Sequence, residues 1–259
     1  MYKQQIGLRS VTAISFLSSG NSNVYTSNPS IIINGDPLIW EDTKELRLNQ
    51  SLLYAISTNL DIILTFGGSY RSYDYINYNT FEPETMDKTA FDSAWFGFNY
   101  RTNSIGELVP MLTFQTALYQ KENAMLESKG FNFKSYTIKG TLKGYSDPVV
   151  YGFYTGFGYN RARNFSFAKI DYGDNIFFGG DLSIVLSPKI TLDLGIEQRF
   201  QTPNKYNNKQ TTNTRSIPAY SIGSTYSLNA DTSLSFWASF GGSSVAPDSI
   251  FGLNLWKKF

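Results

Sequence analysis

The chain of 259 residues contains no cysteine and no histidine. Without cysteine it has neither disulfides nor thiolate metal sites. Without histidine it lacks the usual general base, the imidazole zinc ligand, and the Ser-His and Asp-His pairs of hydrolases. No P-loop or dinucleotide-binding motif is present either. We therefore expect no enzymatic activity, no metal site and no cofactor.

Long apolar runs and an excess of charge are also missing. The mean hydropathy is −0.25, and no stretch approaches the roughly 18 continuous apolar residues of a membrane-spanning helix. The formal net charge is +1, which does not support a nucleic-acid partner. The N-terminal sequence MYKQQIGLRSV has no apolar signal-peptide core. If the protein is exported, we expect this sequence to be its mature form, with or without an added initiator methionine.

The chain is instead rich in aromatic residues, which make up 16% of it, and in alternating patterns. In one segment, the apolar residues Ile190, Leu192, Leu194 and Ile196 alternate with Thr191, Asp193, Gly195 and Glu197. Alternation over about ten residues is typical of a β-strand with one apolar and one polar face. No segment has a clear helical stripe, so we predict no helix longer than a turn or two.

Twelve such segments follow one another along the sequence. They lie near residues 4–17, 44–57, 60–76, 89–101, 106–121, 131–145, 149–160, 174–186, 190–201, 214–228, 232–244 and 249–259. Short turns such as Thr58-Asn59 alternate with long connections near 18–43, 77–88, 122–130, 161–173 and 202–213. The long connections are rich in polar residues and Tyr, a composition suited to solvent and flexibility. The last connection, near Ala246-Pro247-Asp248, is a short exception.

This pattern predicts an all-β fold, a closed antiparallel transmembrane β-barrel of about 12 strands that spans residues 1–259 as a single domain. Short turns are periplasmic and long loops extracellular in such barrels, and an even strand count places both termini in the periplasm. A soluble β-sandwich or barrel is the alternative, but its strands usually have about five or six residues. We therefore expect an integral protein of the Gram-negative outer membrane, in contact with its lipid. Its first and last strands should pair, because lipid tolerates no open sheet edge.

Two groups of aromatic residues are predicted to mark the membrane interfaces. Near the periplasmic rim we place Tyr54, Tyr100, Tyr151, Tyr226 and Phe259, and near the outer rim Phe16, Tyr70, Tyr159, Phe178 and Phe200. The good strand propensity of Tyr and Phe is an alternative explanation for any one of them.

The last segment ends in a terminal phenylalanine with apolar residues at alternate positions before it. This arrangement resembles the assembly signal of bacterial outer-membrane barrels. The resemblance implies recognition by the barrel-assembly machinery through Phe251, Leu253, Leu255 and Phe259. Lys257 departs from the pattern, since an apolar residue is common there, but its aliphatic stem can snorkel near the interface.

A second resemblance covers about the last forty residues, YSIGSTYSLNADTSLSFWASFGGSSVAPDSIFGLNLWKKF. This stretch is similar to the closing hairpins of the barrel family named for the MetA pathway of phenol degradation. The matching residues are Tyr226, Leu228, Asp231, Thr232, Phe240, Gly241, Ala246, Pro247, Asp248 and Phe259. Exporters of functional amyloid carry a twelve-stranded barrel that is similar in size, together with a periplasmic coiled-coil extension that this chain lacks. The resemblance implies a porin-like channel for a small solute or, if this is the isolated barrel of an exporter, for an extended secreted polypeptide.

Alternation places a set of charged residues on the inner face of the predicted barrel. They are Arg9, Arg47, Asp61, Arg71, Arg101, Lys139, Lys143, Asp181, Asp193, Glu197 and Arg199. Either they form a salt-bridged filling, as barrels of about eight strands need, or they line a hydrated lumen and set its selectivity. Twelve strands favour the lining. Asp193 and Glu197 lie about 13 Å apart along a strand, which is too far for the carboxylate pair of a glycosidase.

The long first loop, residues 20–41, contains two apolar patches, Ile31-Ile32-Ile33 and Pro37-Leu38-Ile39-Trp40. These patches can fold inward as a constriction or lid, or pack on neighbouring loops. The first hypothesis for function is a passive outer-membrane channel or transporter with a polar lumen. The alternative is a closed structural or adhesive barrel whose extracellular loops bind a partner.

Overall fold

The computed structural model describes residues 6–19, 38–77, 82–124, 127–242 and 249–259, which form seventeen β-strands. In chain order they are β1 (Gly7–Ser19), β2 (Leu38–Ala55), β3 (Leu60–Asn77), β4 (Glu82–Arg101), β5 (Leu108–Ala124), β6 (Glu127–Phe131), β7 (Ser135–Ser146), β8 (Val149–Asn160), β9 (Arg163–Asn164), β10 (Lys169–Asp171), β11 (Asn175–Ser187), β12 (Ile190–Gln201), β13 (Lys205–Tyr206), β14 (Lys209–Gln210), β15 (Arg215–Asn229), β16 (Thr232–Gly241) and β17 (Ser249–Lys258). No helix occurs within these ranges, and so none that is long and apolar enough to cross a membrane.

Twelve of these strands form a closed antiparallel barrel, as predicted. Around the barrel the order is β1, β2, β3, β4, β5, β7, β8, β11, β12, β15, β16 and β17. The ring closes where β17 returns to β1, with Arg9 opposite Lys258 at one end of the pairing and Ser18 opposite Ser249 at the other. The amide of Phe259 then donates to the carbonyl oxygen of Leu8 at 3.0 Å. The first and last strands therefore pair. The start of β1 and the end of β17 both lie at the periplasmic end of the barrel, where the short turns are.

The apolar residues of the barrel strands point outward. Leu48, Ile196 and Phe236 are 51%, 54% and 58% exposed, values that suit a surface facing lipid rather than a protein core. Nine of the ten predicted girdle aromatics are likewise exposed, and Tyr151 is half-buried. Residues at the intervening positions, such as Asp61 and Ile63, are buried on the inside.

Two strands extend further at the extracellular end than predicted. β2 begins at Leu38 rather than near residue 44, and β4 begins at Glu82 rather than near residue 89. The connection between β3 and β4 is therefore short, and the prediction of a long loop over 77–88 was wrong. The extensions carry polar cross-strand contacts such as Thr85 Oγ1 to Asp74 Oδ1 at 2.9 Å. Residues of these extensions need no apolar outer face, so their sequence does not alternate between apolar and polar. The alternation pattern therefore did not predict that β2 and β4 extend this far.

Three of the predicted long loops contain regular structure. β6 pairs with the extracellular end of β5, so the strand predicted from residue 131 begins only at Ser135. β9, β10, β13 and β14 form a small four-stranded sheet that is separate from the barrel sheet. Asn207 and Asn208 make the tight turn between β13 and β14, both with positive φ, a conformation that asparagine tolerates. The expectation of plain flexible loops was wrong for these segments.

A bulge between β3 and β4 changes which residues face the lumen. Gly67 lies opposite Ser93 and Gly68 opposite Phe91, so Asp92 is an extra residue in β4. Both Asp92 and Ser93 are consequently buried on the inside, as is usual for two residues that oppose one at a bulge.

The two faces of β16 offer a matched test of this orientation. Ala238 faces outward between Ile222 and Phe251, while Ser239 faces the lumen. We expect Ala238→Arg to lower the free energy of unfolding by about 2–4 kcal/mol, because its charge enters lipid near the middle of the membrane. Ser239→Arg should change it by less than about 1 kcal/mol, since its charge enters a polar lumen. Urea unfolding in lipid vesicles measures both, and equal effects would contradict the assigned faces.

Candidate functional site in the barrel lumen

The charged residues predicted to face inward do so. On their strands, the neighbouring positions carry exposed apolar side chains, which face outward, so the charged residues between them face inward. These residues of the inner wall are Arg9, Arg47, Asp61, Arg71, Arg101, Lys139, Lys143, Asp181, Asp193, Glu197 and Arg199. They divide into two sets on opposite parts of the wall. One set, on β1–β4, is linked by ion pairs. In the other set, on β7–β12, Lys139, Asp181, Asp193 and Glu197 border a cavity.

The ion-paired wall has its first centre at Asp61, near the periplasmic end. The Asp61 carboxylate is fully buried. Its Oδ2 accepts a hydrogen bond from Arg101 Nη2 at 2.7 Å, and its Oδ1 lies 2.8 Å from Arg9 Nη2 in an ion pair. The two guanidinium groups, from β1 and β4, both contact this carboxylate of β3 and so link the three strands. The ion pairs stabilise the fold only while both partners are present, because a buried charge that has lost its partner destabilises the folded state.

A second centre lies further toward the extracellular end of the same wall. Glu45 Oε1 lies 2.8 Å from Arg47 Nη2 and 3.2 Å from Arg71 Nε, and Arg71 Nη2 lies 3.4 Å from Asp92 Oδ1. Glu45, Arg71 and Asp92 are all buried. These charges reinforce β2, β3 and β4 in the way that a filled barrel interior would.

The opposite wall is organised differently, around Glu197. Glu197 Oε1 accepts Arg199 Nη2 at 2.7 Å, and its Oε2 accepts the Tyr154 hydroxyl at 3.1 Å. Lys139 Nζ lies 3.9 Å from the centre of the Tyr154 ring. Asp181, by contrast, makes no hydrogen bond or ion pair to any residue in the described ranges. Its carboxylate is available to the lumen.

A row of hydroxyl groups continues this wall toward β16. Asp193 Oδ1 accepts Ser183 Oγ at 2.6 Å, and its Oδ2 accepts Thr225 Oγ1 at 2.8 Å. Because the single Thr225 proton is used in that bond, Ser235 Oγ donates to Thr225 across 2.8 Å. A cavity of about 520 Å³ borders these residues together with Lys139, Asp181 and Glu197, and its lining also includes Tyr154 and Trp237.

Three aromatic side chains on the inner wall lie over glycines. A side chain at Gly179 would collide with the ring of Tyr154, one at Gly156 with Phe177, and one at Gly252 with Trp237. Each glycine therefore lets a large ring lie along the wall instead of projecting across the lumen. This packing leaves the space beside Lys139 and Asp181 to solvent or solute.

The connection between β8 and β11 contacts the inner wall of the barrel at its extracellular end. Arg163 of β9 is fully buried, and its Nη2 lies 2.8 Å from Ser135 Oγ and 3.3 Å from Glu122 Oε1. Its guanidinium carbon also lies 4.6 Å from the centre of the Tyr172 ring. Since Ser135 and Glu122 belong to the inner faces of β7 and β5, this loop folds inward over the barrel wall.

A small apolar cluster holds the inward loop in place. Its buried members are Phe131, Phe165, Ala168, Ile170 and Tyr172. The rings of Phe131 and Phe165 meet edge to face at 5.2 Å, joining β6 to the loop after β9. Burial raises the pKa of Tyr172 well above its ordinary value of 10, and the charge of Glu122 raises it further. The phenol is thus neutral beside Arg163.

Sequence reasoning missed five charged or polar residues of the lumen and mouth: Glu45, Asp92, Glu122, Arg163 and Tyr172. Glu45 lies two residues before Arg47 on the same face of the strand, so the alternation pattern could have predicted that it faces inward. Asp92 is displaced by the bulge, and Arg163 and Tyr172 lie in a segment without alternation. Of the predicted first-loop patches, residues 31–33 and 37 lie outside the described residues, while Leu38–Trp40 belong to β2.

Of the predicted assembly signal, Phe251, Leu253 and Leu255 alternate outward on β17, and Phe259 follows the strand directly and is exposed. Their recognition by the assembly machinery stays a prediction, as does the role of the inner charges in selectivity. No group of three or more potential metal ligands occurs in the part of the chain that the structure describes.

The fold is similar to that of several solved outer-membrane proteins. One is an outer-membrane channel from Pseudomonas putida F1, with a TM-score of 0.67 and 10% identity over 99% of this chain and 97% of that chain. Another is the translocator domain of the autotransporter NalP from Neisseria meningitidis, with a TM-score of 0.57 and 9% identity over 99% and 90%. A third is the CymD monoaromatic hydrocarbon channel, with a TM-score of 0.53 and 8% identity over 99% of this chain and 89% of that chain.

At these identities the likeness establishes the fold, and the predicted outer-membrane barrel is confirmed. The predicted placement as an integral protein of the bacterial outer membrane follows from that fold and its apolar outer face. By sequence, no protein-family model matches the chain, and no curated protein matches it.

The Asp61 centre can be tested by removing its charge. We expect Asp61→Asn to lower the free energy of unfolding by about 3–5 kcal/mol, because Arg9 and Arg101 lose their buried partner. The control is Asp231→Asn, whose carboxylate is exposed and 3.9 Å from Lys258 Nζ, and which should cost less than about 1 kcal/mol. Denaturant titrations in detergent micelles measure both. A loss at Asp61 no larger than at Asp231 would show that the buried pair contributes little.

Proposed function

We propose that this outer-membrane barrel is a passive channel for small polar solutes. The observation that carries the proposal is the cavity of about 520 Å³ beside the β7–β16 wall, bordered by Lys139, Asp181, Glu197 and a row of hydroxyls. A barrel whose interior served only as a structural filling would pair these groups with each other. Here Glu197 pairs with Arg199, but Lys139 and Asp181 form no ion pair with any residue in the described ranges.

The chemistry of the cavity favours solutes with hydrogen-bonding groups. Ser183, Thr225 and Ser235 offer hydroxyl oxygens as acceptors, and Asp181 offers a carboxylate, so a solute exchanges its bound water for similar partners on the wall. The proteins of similar fold include channels, one of them a channel for monoaromatic hydrocarbons. The charged groups and hydroxyl oxygens in the lining of this cavity favour a more polar cargo. Transport of this kind needs no cofactor and no catalytic step.

The inward loop supports a small solute over an extended polypeptide. Arg163, held by Glu122, Ser135 and Tyr172, keeps this loop against the wall at the mouth. An exporter of unfolded chains would need that loop to leave its site during each passage. The exporter resemblance therefore stays the second hypothesis, and the adhesive barrel the third.

Planar-bilayer recordings of the purified protein test conduction directly. We expect ohmic single-channel currents from the wild type, and larger or longer openings from Arg163→Ala, because the loop loses its buried anchor. Lys209→Ala removes an exposed cation of the same extracellular sheet and should conduct like the wild type. The absence of current from both wild type and Arg163→Ala would contradict the channel and favour the adhesive barrel.

The free carboxylate of Asp181 predicts a measurable effect on ion selectivity. Asp181→Asn should shift the reversal potential in a salt gradient toward anions, because it removes a negative charge from a narrow polar lumen. Glu107→Gln neutralises an exposed carboxylate in the turn between β4 and β5 and serves as the control. Identical reversal potentials for wild type and Asp181→Asn would place the conduction path away from the β7–β12 wall.

A further inference from the structure

A second cavity lies at the extracellular end of the barrel, between the ends of β7 and β8 and the small sheet. Its volume is about 450 Å³, and its lining includes four cationic residues, Lys134, Arg161, Lys169 and Lys205, and two acidic ones, Asp171 and Asp174. We call it the basic rim cavity. It is separate from the lumen cavity described above and shares no lining residue with it.

The two carboxylates of the basic rim cavity are engaged by the backbone. Asp174 Oδ1 accepts the amide of Asn160 at 2.9 Å, and Asp171 Oδ1 accepts the amide of Gly173 at 3.0 Å. Gly173 has a φ of 72°, a conformation that favours glycine. Both acids therefore shape the loop that forms the cavity.

The four cations, in contrast, have no acidic partner. None of them forms an ion pair with any residue in the described ranges. Four positive and two negative side chains leave the lining with two uncompensated positive charges. Arg161, Lys169 and Lys205 are also exposed, so an anion can reach them from outside.

The level of the cavity in the membrane identifies the kind of anion. Tyr159 lines the cavity and also belongs to the outer aromatic girdle, where it is 46% exposed. Girdle aromatics sit at the level of the lipid headgroups. The basic rim cavity therefore lies where the headgroups of the outer leaflet are, and cationic clusters at that level attract anionic headgroups.

We propose that the basic rim cavity binds a phosphate group carried by the headgroup of an outer-leaflet lipid. A phosphate dianion matches the two uncompensated charges, and the Arg161 guanidinium can bind two of its oxygens at once. Asn160 and Thr202 are already used to hold the cavity walls, through Asn160 Nδ2 to the Gly173 carbonyl at 2.8 Å and the Asp174 amide to Thr202 Oγ1 at 2.8 Å. The site is thus preformed rather than assembled by its ligand.

Calorimetric titration of the full chain in detergent with lipid A, and with the same lipid after enzymatic removal of its phosphates, tests the proposal. We expect one phosphorylated lipid per barrel and no measurable binding of the dephosphorylated form. Arg161→Gln combined with Lys205→Gln should weaken binding about 30-fold, since each surface cation contributes about a factor of five or six. Lys189→Gln combined with Lys209→Gln removes two exposed lysines outside the cavity and should bind like the wild type.

Each other outcome counts against the proposal. Equal affinities of the two double variants would mean that binding does not depend on the basic rim cavity. Equal binding of both lipid forms would mean that phosphate is not recognised. Titration with inorganic phosphate distinguishes the source of the group, because saturation by free phosphate without any binding of lipid A would overturn the assignment to a lipid. Circular dichroism of all variants checks that the barrel is intact.

Discussion

The structure depends on one constraint, the backbone hydrogen bonds that lipid cannot supply. A strand inside a membrane must pair on both edges, because an amide or carbonyl left open to hydrocarbon costs several kcal/mol. The pairing of β1 with β17, extended by the bond from the Phe259 amide to the Leu8 carbonyl, removes the only pair of edges that the hairpins leave open. Alternation then follows, since every strand has one face in lipid and the other inside.

Closure also decides what happens to the charges. An inner face shielded from lipid can hold Arg, Asp and Glu, and this chain uses the two halves of its wall differently. On β1–β4 the charges around Asp61 and Glu45 neutralise one another and stiffen the wall. On β7–β12 glycines accommodate the rings of Tyr154 and Phe177, and Asp181 faces open space. The division gives an ion-paired wall on one side and a wall that borders a cavity on the other.

The sequence predicted the fold where lipid imposes a pattern and failed where it does not. β8 and β12 agree with their predicted bounds to the residue, because alternating apolar side chains mark every position that touches lipid. Inward charges such as Lys139 and Glu197 were found by the same parity. Asp92 was missed because a bulge resets the parity. Arg163 was missed because its partners, Glu122 and Ser135, lie on distant strands, a relation that no local pattern expresses.

Cross-linking of β1 to β17 tests most directly the central claim that these two strands close the barrel. The chain has no cysteine of its own, so only the introduced cysteines can form a disulfide. Ala13 lies opposite Asn254 in the β1–β17 pairing, at a separation that a disulfide can bridge. Ala13→Cys with Asn254→Cys, oxidised in native outer membranes, should form an intramolecular disulfide. Ala13→Cys with Trp256→Cys, which lies opposite Val11 instead, should cross-link far less. Efficient cross-linking of the offset pair alone, or only between separate molecules, would contradict a barrel closed in this register.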